Sequence, residues 1–363
     1  MPASAASHLR PVGILGIGTY LPPSIRTNDW WPTDVVERWR AGLAKKFGSM
    51  PSRESAPRGA QMVLDAMATL RDDPFQGART RHVLEPGVPV STMEVAAGRQ
   101  ALARADVRPD KIDLLICYCN VPDYLTVPNA PVVHQKLELP EACISFDVES
   151  ACNSFATQME LAWRMIGSSA ANYALLVQSN AVRAFCKTED PFSAWFGDGA
   201  TAVVVGPVSR DRGLLGTAHL TDGSCHDGLV GRSGPGEWHQ GRVELSVKSK
   251  ASVRKMLLEI PRMGDSLITR ALSMAGMDRR EIDFFACHQG TVWLRSVVAE
   301  YAGIESAKSF DCFPETTSLS AANIPYVLSV ADSTGLLDDG DCVATYSGGS
   351  GITSSSLVLR WGR

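Results

Sequence analysis

What the chain lacks narrows its function first. No Cys-x-x-Cys pair occurs, although there are nine cysteines, at 117, 119, 143, 152, 186, 225, 287, 312 and 342. An odd number of thiols scattered over hydrophobic segments argues against a disulfide framework and for a reducing, cytoplasmic setting. Cys117 and Cys119 share one face of an expected strand. They could hold a metal only with ligands from elsewhere, so packing is the simpler reading and no metal is expected. No apolar run approaches the roughly 18 residues that a membrane-spanning helix needs. The opening MPASAASHLRPVG has no basic stretch followed by an apolar one, so no secretory leader is expected. A formal net charge of −4 gives no electrostatic footprint for nucleic acid or an anionic membrane.

What is present is ample material for a core. The 363 residues are 45% hydrophobic and 20% charged. That length suits two fused units of about 150–200 residues each. An internal repeat supports the division. ALARADVRPDKIDLLICYC (101–119) matches ALSMAGMDRREIDFFACHQ (271–289) at a displacement of 170 residues. Each reads as the end of a helix, a polar turn and a hydrophobic strand. Further on, Ser150-Ala151-Cys152-Asn153 maps onto Ser320-Ala321-Ala322-Asn323. Strands alternating with helices predict a layered α/β architecture, with apolar strands buried on both faces.

The repeat singles out one thiol. In DVESACNSF, Cys152 stands where the second copy has alanine. A small residue would satisfy packing in both places. Cys152 also falls where a strand gives way to a helix, and a helix N-terminus favours the thiolate. Such a turn exposes its side chain, as nucleophile elbows do. A buried structural cysteine is the competing reading.

A thiol that attacks an acyl group needs a proton manager. His288 directly follows the apolar strand IDFFAC, at the strand end where chemistry collects in parallel sheets. His8 falls in the tail, His82 after a basic stretch and His134 on an amphipathic helix, while His219, His226 and His239 lie in or near a polar, Gly-rich region. YSGGSGIT (346–353) reads as a tight turn between two strands, able to bring backbone N–H groups to a substrate oxygen or to serve as a plain hairpin. FGDGA (196–200) reads as a structural turn.

Together, GILGIGTYLPPSIRTN, FDVESACNSF, WFGDGATAVVV, CHQG, SAANIP and SGGSGIT resemble, in order and spacing, the ketosynthase III family of the thiolase superfamily. The resemblance spans nearly the whole chain. It implies a five-layered αβαβα thiolase fold and a homodimer. The N-terminal half (1–206) would carry the nucleophile and an insertion at 29–78, and the C-terminal half (207–363) would carry the histidine and the Gly-rich turn. It implies Cys152 as the nucleophile that accepts an acyl group from CoA or an acyl carrier protein, His288 as the catalytic histidine, and the amides of Cys152 and Ser350 as the oxyanion hole. No organic cofactor is implied.

Three departures stand out. The family's third catalytic residue, an Asn in Gly-Asn-Thr-Ser-Ala-Ala, is Ser318 here, preceded by Thr317 in place of the Gly. Asn323 lies across a helical start and is expected to point elsewhere; Glu315 could orient His288. The 29–78 segment is longer than its family counterpart, which helps hold the CoA adenine between an aromatic and an arginine. Trp39 with Arg40 could do so here, although an extra amphipathic helix pair is the preferred reading. Third, where the family often places a Phe that enters the partner's acyl pocket, this chain has Val127, which leaves room for a branched, longer or aromatic acyl group. Acyl transfer without decarboxylation is the leading expectation, in natural-product (polyketide or related) biosynthesis. C–C condensation with a malonyl or β-keto nucleophile, a catalytically silent partner subunit and a thioester hydrolase are the alternatives.

Overall fold

The computed structural model describes residues 10–48, 50–233 and 241–363. Two mixed sheets form its frame. The first holds Val12–Tyr20, Gly199–Pro207, Ala174–Asn180, Leu114–Cys119 and Ile144–Asp147, in that spatial order. The second holds Phe284–Cys287, Cys342–Gly349, Gly351–Arg360 and Gly213–Cys225. Leu114–Cys119 runs parallel to both of its neighbours. Its sequence, LLICYC, is apolar throughout because both faces of the sheet are covered.

Five layers result. The helix Ser91–Ala105 covers the outside of the first sheet, packing Ala101 and Leu102 over Leu115 and Val204. Gly18 permits that approach, since a Cβ there would lie 2.0 Å from the Ala97 carbonyl oxygen. The 26-residue helix Lys250–Ala275 covers the second sheet. Ser249 caps its start by accepting the Ser252 N–H, and Gly276 ends it at a φ of 70°. Between the sheets lie Ser154–Gly167 and Asn323–Ser333, whose Phe155, Met159, Val327 and Leu328 share one core with both inner sheet faces.

Between residues 29 and 78 lie two helices, Thr33–Gly48 and Arg58–Ala68, which pack into different clusters rather than as a pair: Val35 and Trp39 of the first join Trp31, Phe75 and Ala194. Val63 and Met67 bury the second helix against the outer layer of the second sheet. No helix among the described residues is long and apolar enough to cross a membrane.

Candidate active site

Two turns of similar form face each other at the centre. Ile144–Asp147 leads into a short 3-10 turn, Ala151–Asn153, and then the helix Ser154–Gly167. The backbone turns sharply at Ala151, with a φ of 51°. Ser154 ties the turn, accepting the Ser150 N–H at 2.8 Å and donating to the Ala151 carbonyl at 2.8 Å. The Glu149 Oε1 accepts the Ala151 N–H at 2.6 Å. Cys152, on this elbow, is half-buried rather than sealed in the core.

The opposite elbow is the 3-10 turn Ser320–Ala322, followed by the helix Asn323–Ser333. Ser320 has a φ of 54°, matching Ala151. The structural displacement between the two elbows is therefore 169 residues, one less than the 170 seen in the flanking helices and strands. The residue facing the role of Cys152 is Ala321, still without a thiol. Ser320, which sequence comparison assigned to the silent copy, donates its hydroxyl to the Cys152 Sγ at 3.4 Å. The Tyr118 hydroxyl lies 3.2 Å from the Ser320 Oγ, with its ring buried in the first sheet.

The electrostatics of the thiol differ from the sequence expectation. Burial raises the Cys152 pKa, the Ser320 hydrogen bond opposes that, and the Glu149 carboxylate raises it further. Cys152 rests as a thiol and needs a proton acceptor before attack.

His288 follows Phe284–Cys287 and is 4% exposed. Burial lowers its pKa to about 4, while hydrogen bonding to the Ser320 backbone and the Asn323 side chain opposes the shift. Its Nδ1 has no well-formed partner. Asn323 lies near His288, but its hydrogen bonds go to other groups: its Oδ1 accepts the Leu319 N–H at 3.1 Å and its Nδ2 donates to the Cys312 Sγ at 3.6 Å. The proposed help from Glu315 fails on geometry. That carboxylate is half exposed and pairs with Arg79. No charged group acts on His288 among the described residues.

Ser318 is buried beside these groups, and its Oγ accepts the Ser320 N–H at 3.4 Å. FGDGA does more than make a turn. Gly197 donates its N–H to the Ser318 carbonyl, the Ser318 N–H bonds the Trp195 carbonyl, and the Asn180 amide reaches the Ser318 carbonyl at 3.3 Å. Thr317 occupies the position of the family Gly at a φ of 57°, a left-handed conformation that a β-branched residue adopts at a cost of about 1–3 kcal/mol.

The Gly-rich segment is a hairpin turning at Ser350, with Gly348 opposite Ser354 and Gly349 opposite Thr353. It is also stitched to the nucleophile. The Ser347 hydroxyl donates to the Cys152 carbonyl at 2.9 Å and the Thr353 hydroxyl to the Ser150 carbonyl at 3.2 Å. A Cβ on Gly349 would stand 2.6 Å from the Ser150 oxygen, so only glycine allows this contact.

Other expectations fare differently. Trp39 is 6% exposed, packed against Trp31 and Phe75, and its indole N–H bonds the Glu189 carbonyl at 2.7 Å. Its ring has no free face for an adenine. Arg40 is exposed and pairs with Glu37 one turn away. An exposed aromatic–arginine pair exists instead at Trp30, with the Arg26 guanidinium 3.5 Å from the ring centre. Val127 is 53% exposed on a loop with Tyr124 and Leu125, so in one chain it walls no pocket around Cys152. His134 and His226 each contact a local backbone carbonyl, His82 contacts the Pro22 carbonyl from a distant part of the sequence, and His219 contacts Ser355. His8 and His239 lie outside the described residues. The described residues hold no group of three His, Cys, Asp or Glu side chains fit for a metal.

Sequence comparison agrees with the architecture. Residues 146–223 match the 3-oxoacyl-[acyl-carrier-protein] synthase III family model, and residues 272–361 match the model of its C-terminal portion. Over those residues this chain is similar to the ketosynthase III family. A beta-ketoacyl-[acyl-carrier-protein] synthase III of Desulfitobacterium hafniense is 26% identical to this chain over 360 residues, covering 97% of it and 98% of the relative. The crystal structure of 3-oxoacyl-[acyl-carrier-protein] synthase III from Aquifex aeolicus superposes with a TM-score of 0.77 at 23% identity, covering 96% of this chain and 100% of that one. A variant of OleA from Xanthomonas campestris, crystallised with bound lauric acid and lauroyl-CoA, gives 0.77 at 22% identity, covering 97% and 100%. The structural likenesses show that this chain shares the thiolase fold of those proteins.

Proposed function

We propose that this protein is an acyltransferase that loads an acyl group from a CoA or carrier-protein thioester onto Cys152 and passes it to an acceptor without decarboxylation. The observation that carries this reading is Ser318. In condensing family members a histidine and an asparagine together hold the carbonyl of the malonyl unit as it becomes an enolate. Here the shorter Ser318 is engaged with the Ser320 N–H. Losing one oxyanion donor typically costs about 10²–10³ in rate. Acyl loading is spared, because it draws on the amides of Cys152 and Ser350 instead.

Cys152, His288 and Ser318 form the proposed catalytic set, with the halves 1–206 and 207–363 contributing one elbow each. The acyl pocket would be completed by Val127 of a second copy. An edge strand that leaves Ile144 exposed, together with Tyr124 and Leu125, supports a homodimer through that face. The nine free thiols fit a cytoplasmic setting. A role in natural-product biosynthesis accords with the altered catalytic set. Condensation is the second reading, favoured by the name that the curated relatives carry.

The test compares wild type with Ser318→Asn on malonyl-CoA and malonyl-carrier donors. Wild type is expected to release CO2 no faster than Cys152→Ala, and Ser318→Asn to raise the release. CO2 release by wild type at the pace of acyl loading would overturn the proposal.

A further inference from the structure

The two copies of the repeat each place one polar side chain at the end of a buried parallel strand. The displacement of 170 residues that maps Cys117 onto Cys287 also maps Tyr118 onto His288. Both side chains are buried, at 3% and 4% exposure. Both meet the second elbow at Ser320: His288 lies against its backbone, and the Tyr118 hydroxyl stands 3.2 Å from its Oγ. His288 already has a part in the chemistry, and Tyr118 has none. We infer that Tyr118 is a positioning residue for the nucleophile, holding the Ser320 hydroxyl as a hydrogen-bond donor to the Cys152 sulfur.

This inference rests on the reading of Cys152 as the acyl-accepting nucleophile, and adds to it what steadies charge on the sulfur. Hydrogen counting fixes the direction of the chain. A serine hydroxyl has one hydrogen to give and two lone pairs. Ser320 donates its hydrogen to the Cys152 Sγ at 3.4 Å. Toward Tyr118 its oxygen can then only accept, so the phenol is the donor. That is the one hydrogen bond of the phenol oxygen among the described residues. Burial pushes the phenol well above its ordinary pKa range, so it keeps its hydrogen. Ser320 is held from the other side as well, by its N–H on the Ser318 Oγ at 3.4 Å and by its left-handed backbone. Its structural mate in the first elbow, Ala151, has no hydroxyl. Two O–H groups, one from each half of the chain, are therefore aimed in series at a single sulfur.

The pair moves no proton, since each hydroxyl keeps its own hydrogen. It acts whenever the sulfur carries charge. That occurs in the thiolate before attack, and again when the C–S bond of the acylated enzyme breaks and its electron pair returns to sulfur. A donor behind a hydrogen bond strengthens it by about 10–30% in condensed phase. For a bond to a charged group, that share corresponds to a rate change of up to about fourfold.

The test compares the full-length wild type with Tyr118→Phe, which keeps the buried ring and removes only the hydroxyl. Alkylation of Cys152 by iodoacetamide is followed by intact mass across pH, with Cys152→Ala giving the background from the other thiols. Tyr118→Phe should raise the pH midpoint and slow alkylation below it by about two- to fourfold. Above the midpoint its rate should be equal or higher, because a less supported thiolate is more nucleophilic. In a Ser320→Ala background, which lacks the middle hydroxyl, Tyr118→Phe should change nothing further. An unmoved midpoint, a loss of the same size at every pH, or an undiminished effect in the Ser320→Ala background would overturn the inference. Alkylation needs no acyl donor, so these outcomes leave acyl transfer standing. Absence of any acyl adduct on wild type from acyl-CoA or acyl-carrier donors would instead overturn the acyltransferase reading, and with it the use of this chain of hydroxyls in acyl transfer.

Discussion

The two elbows have nearly the same backbone and opposite chemistry. One turns at Ala151 and presents Cys152; the other turns at Ser320 and presents Ala321. Each launches a helix into the layer between the sheets. The first carries the sulfur that would take the acyl group. The second has no nucleophile of its own, yet its Ser320 hydroxyl reaches that sulfur and its backbone lies against His288. Duplication thus supplied two N-terminal turns, and divergence made one the reactive centre and the other its support.

The largest effect should come from moving the thiol. Cys152→Ala is expected to abolish acyl adducts by intact mass. Adding Ala321→Cys should not restore them, because Ala321 is 2% exposed and lacks the stitched hairpin beneath it. An adduct on that new cysteine would show the elbows to be interchangeable. Next comes Gly349→Ala, whose methyl would meet the Ser150 carbonyl. Overpacking of this kind typically costs about 1–3 kcal/mol. Thermal unfolding and acyl-loading rates should both fall, while an alanine at the exposed Gly223, with open space around it, should leave both unchanged.

The supporting role of Ser320 predicts a smaller, directional change. Hydrogen bonds to charged groups contribute about 1.5–3 kcal/mol, and one pKa unit is about 1.4 kcal/mol. Ser320→Ala should therefore move the pH midpoint of Cys152 alkylation upward. A midpoint that stays in place would confine Ser320 to packing.

The smallest net effect concerns two buried titratable groups in opposite halves. Burial raises Glu94 to about 7, against hydrogen bonds from Ser179 and Asn129 and with Asp147 and Asp123 adding to the rise. Burial lowers His288 to about 4. The folded state holds the Glu94 proton longer than the unfolded chain, so that group makes stability fall as pH rises from about 4.5 to about 7. The unfolded chain holds the His288 proton longer, so that group makes stability rise from about pH 4 to about 6.5. Each contribution is on the order of 3 kcal/mol, and the two oppose across their shared window. Glu94→Gln should unmask a rise of stability with pH, and His288→Gln a fall, in denaturant midpoints measured from pH 4.5 to 6.5. Equal slopes in the two variants would contradict the opposition.

Much of this arrangement was legible in the sequence. The two halves followed from the repeat, and the positions of Cys152 and His288 followed from apolar strands that end in polar residues. The Gly-rich hairpin was visible as a turn. What escaped depended on how the elbows meet. Ser320 looked like the inert mate of Ser150 because the one-residue slip between copies cannot be seen without backbone geometry. Trp39 and Arg40 are adjacent in sequence, but one is buried against Trp31 and Phe75 while the other faces solvent, as neighbours on a helix often do.

The most direct test of the account is intact-protein mass spectrometry of wild type and Cys152→Ala, incubated with acyl-CoA and acyl-carrier donors, malonyl included. The account predicts a stable acyl adduct on wild type alone, and a malonyl adduct that keeps its carboxylate. Acyl loading followed by CO2 loss and a β-ketoacyl product would contradict it, and would show that Ser318 suffices for condensation.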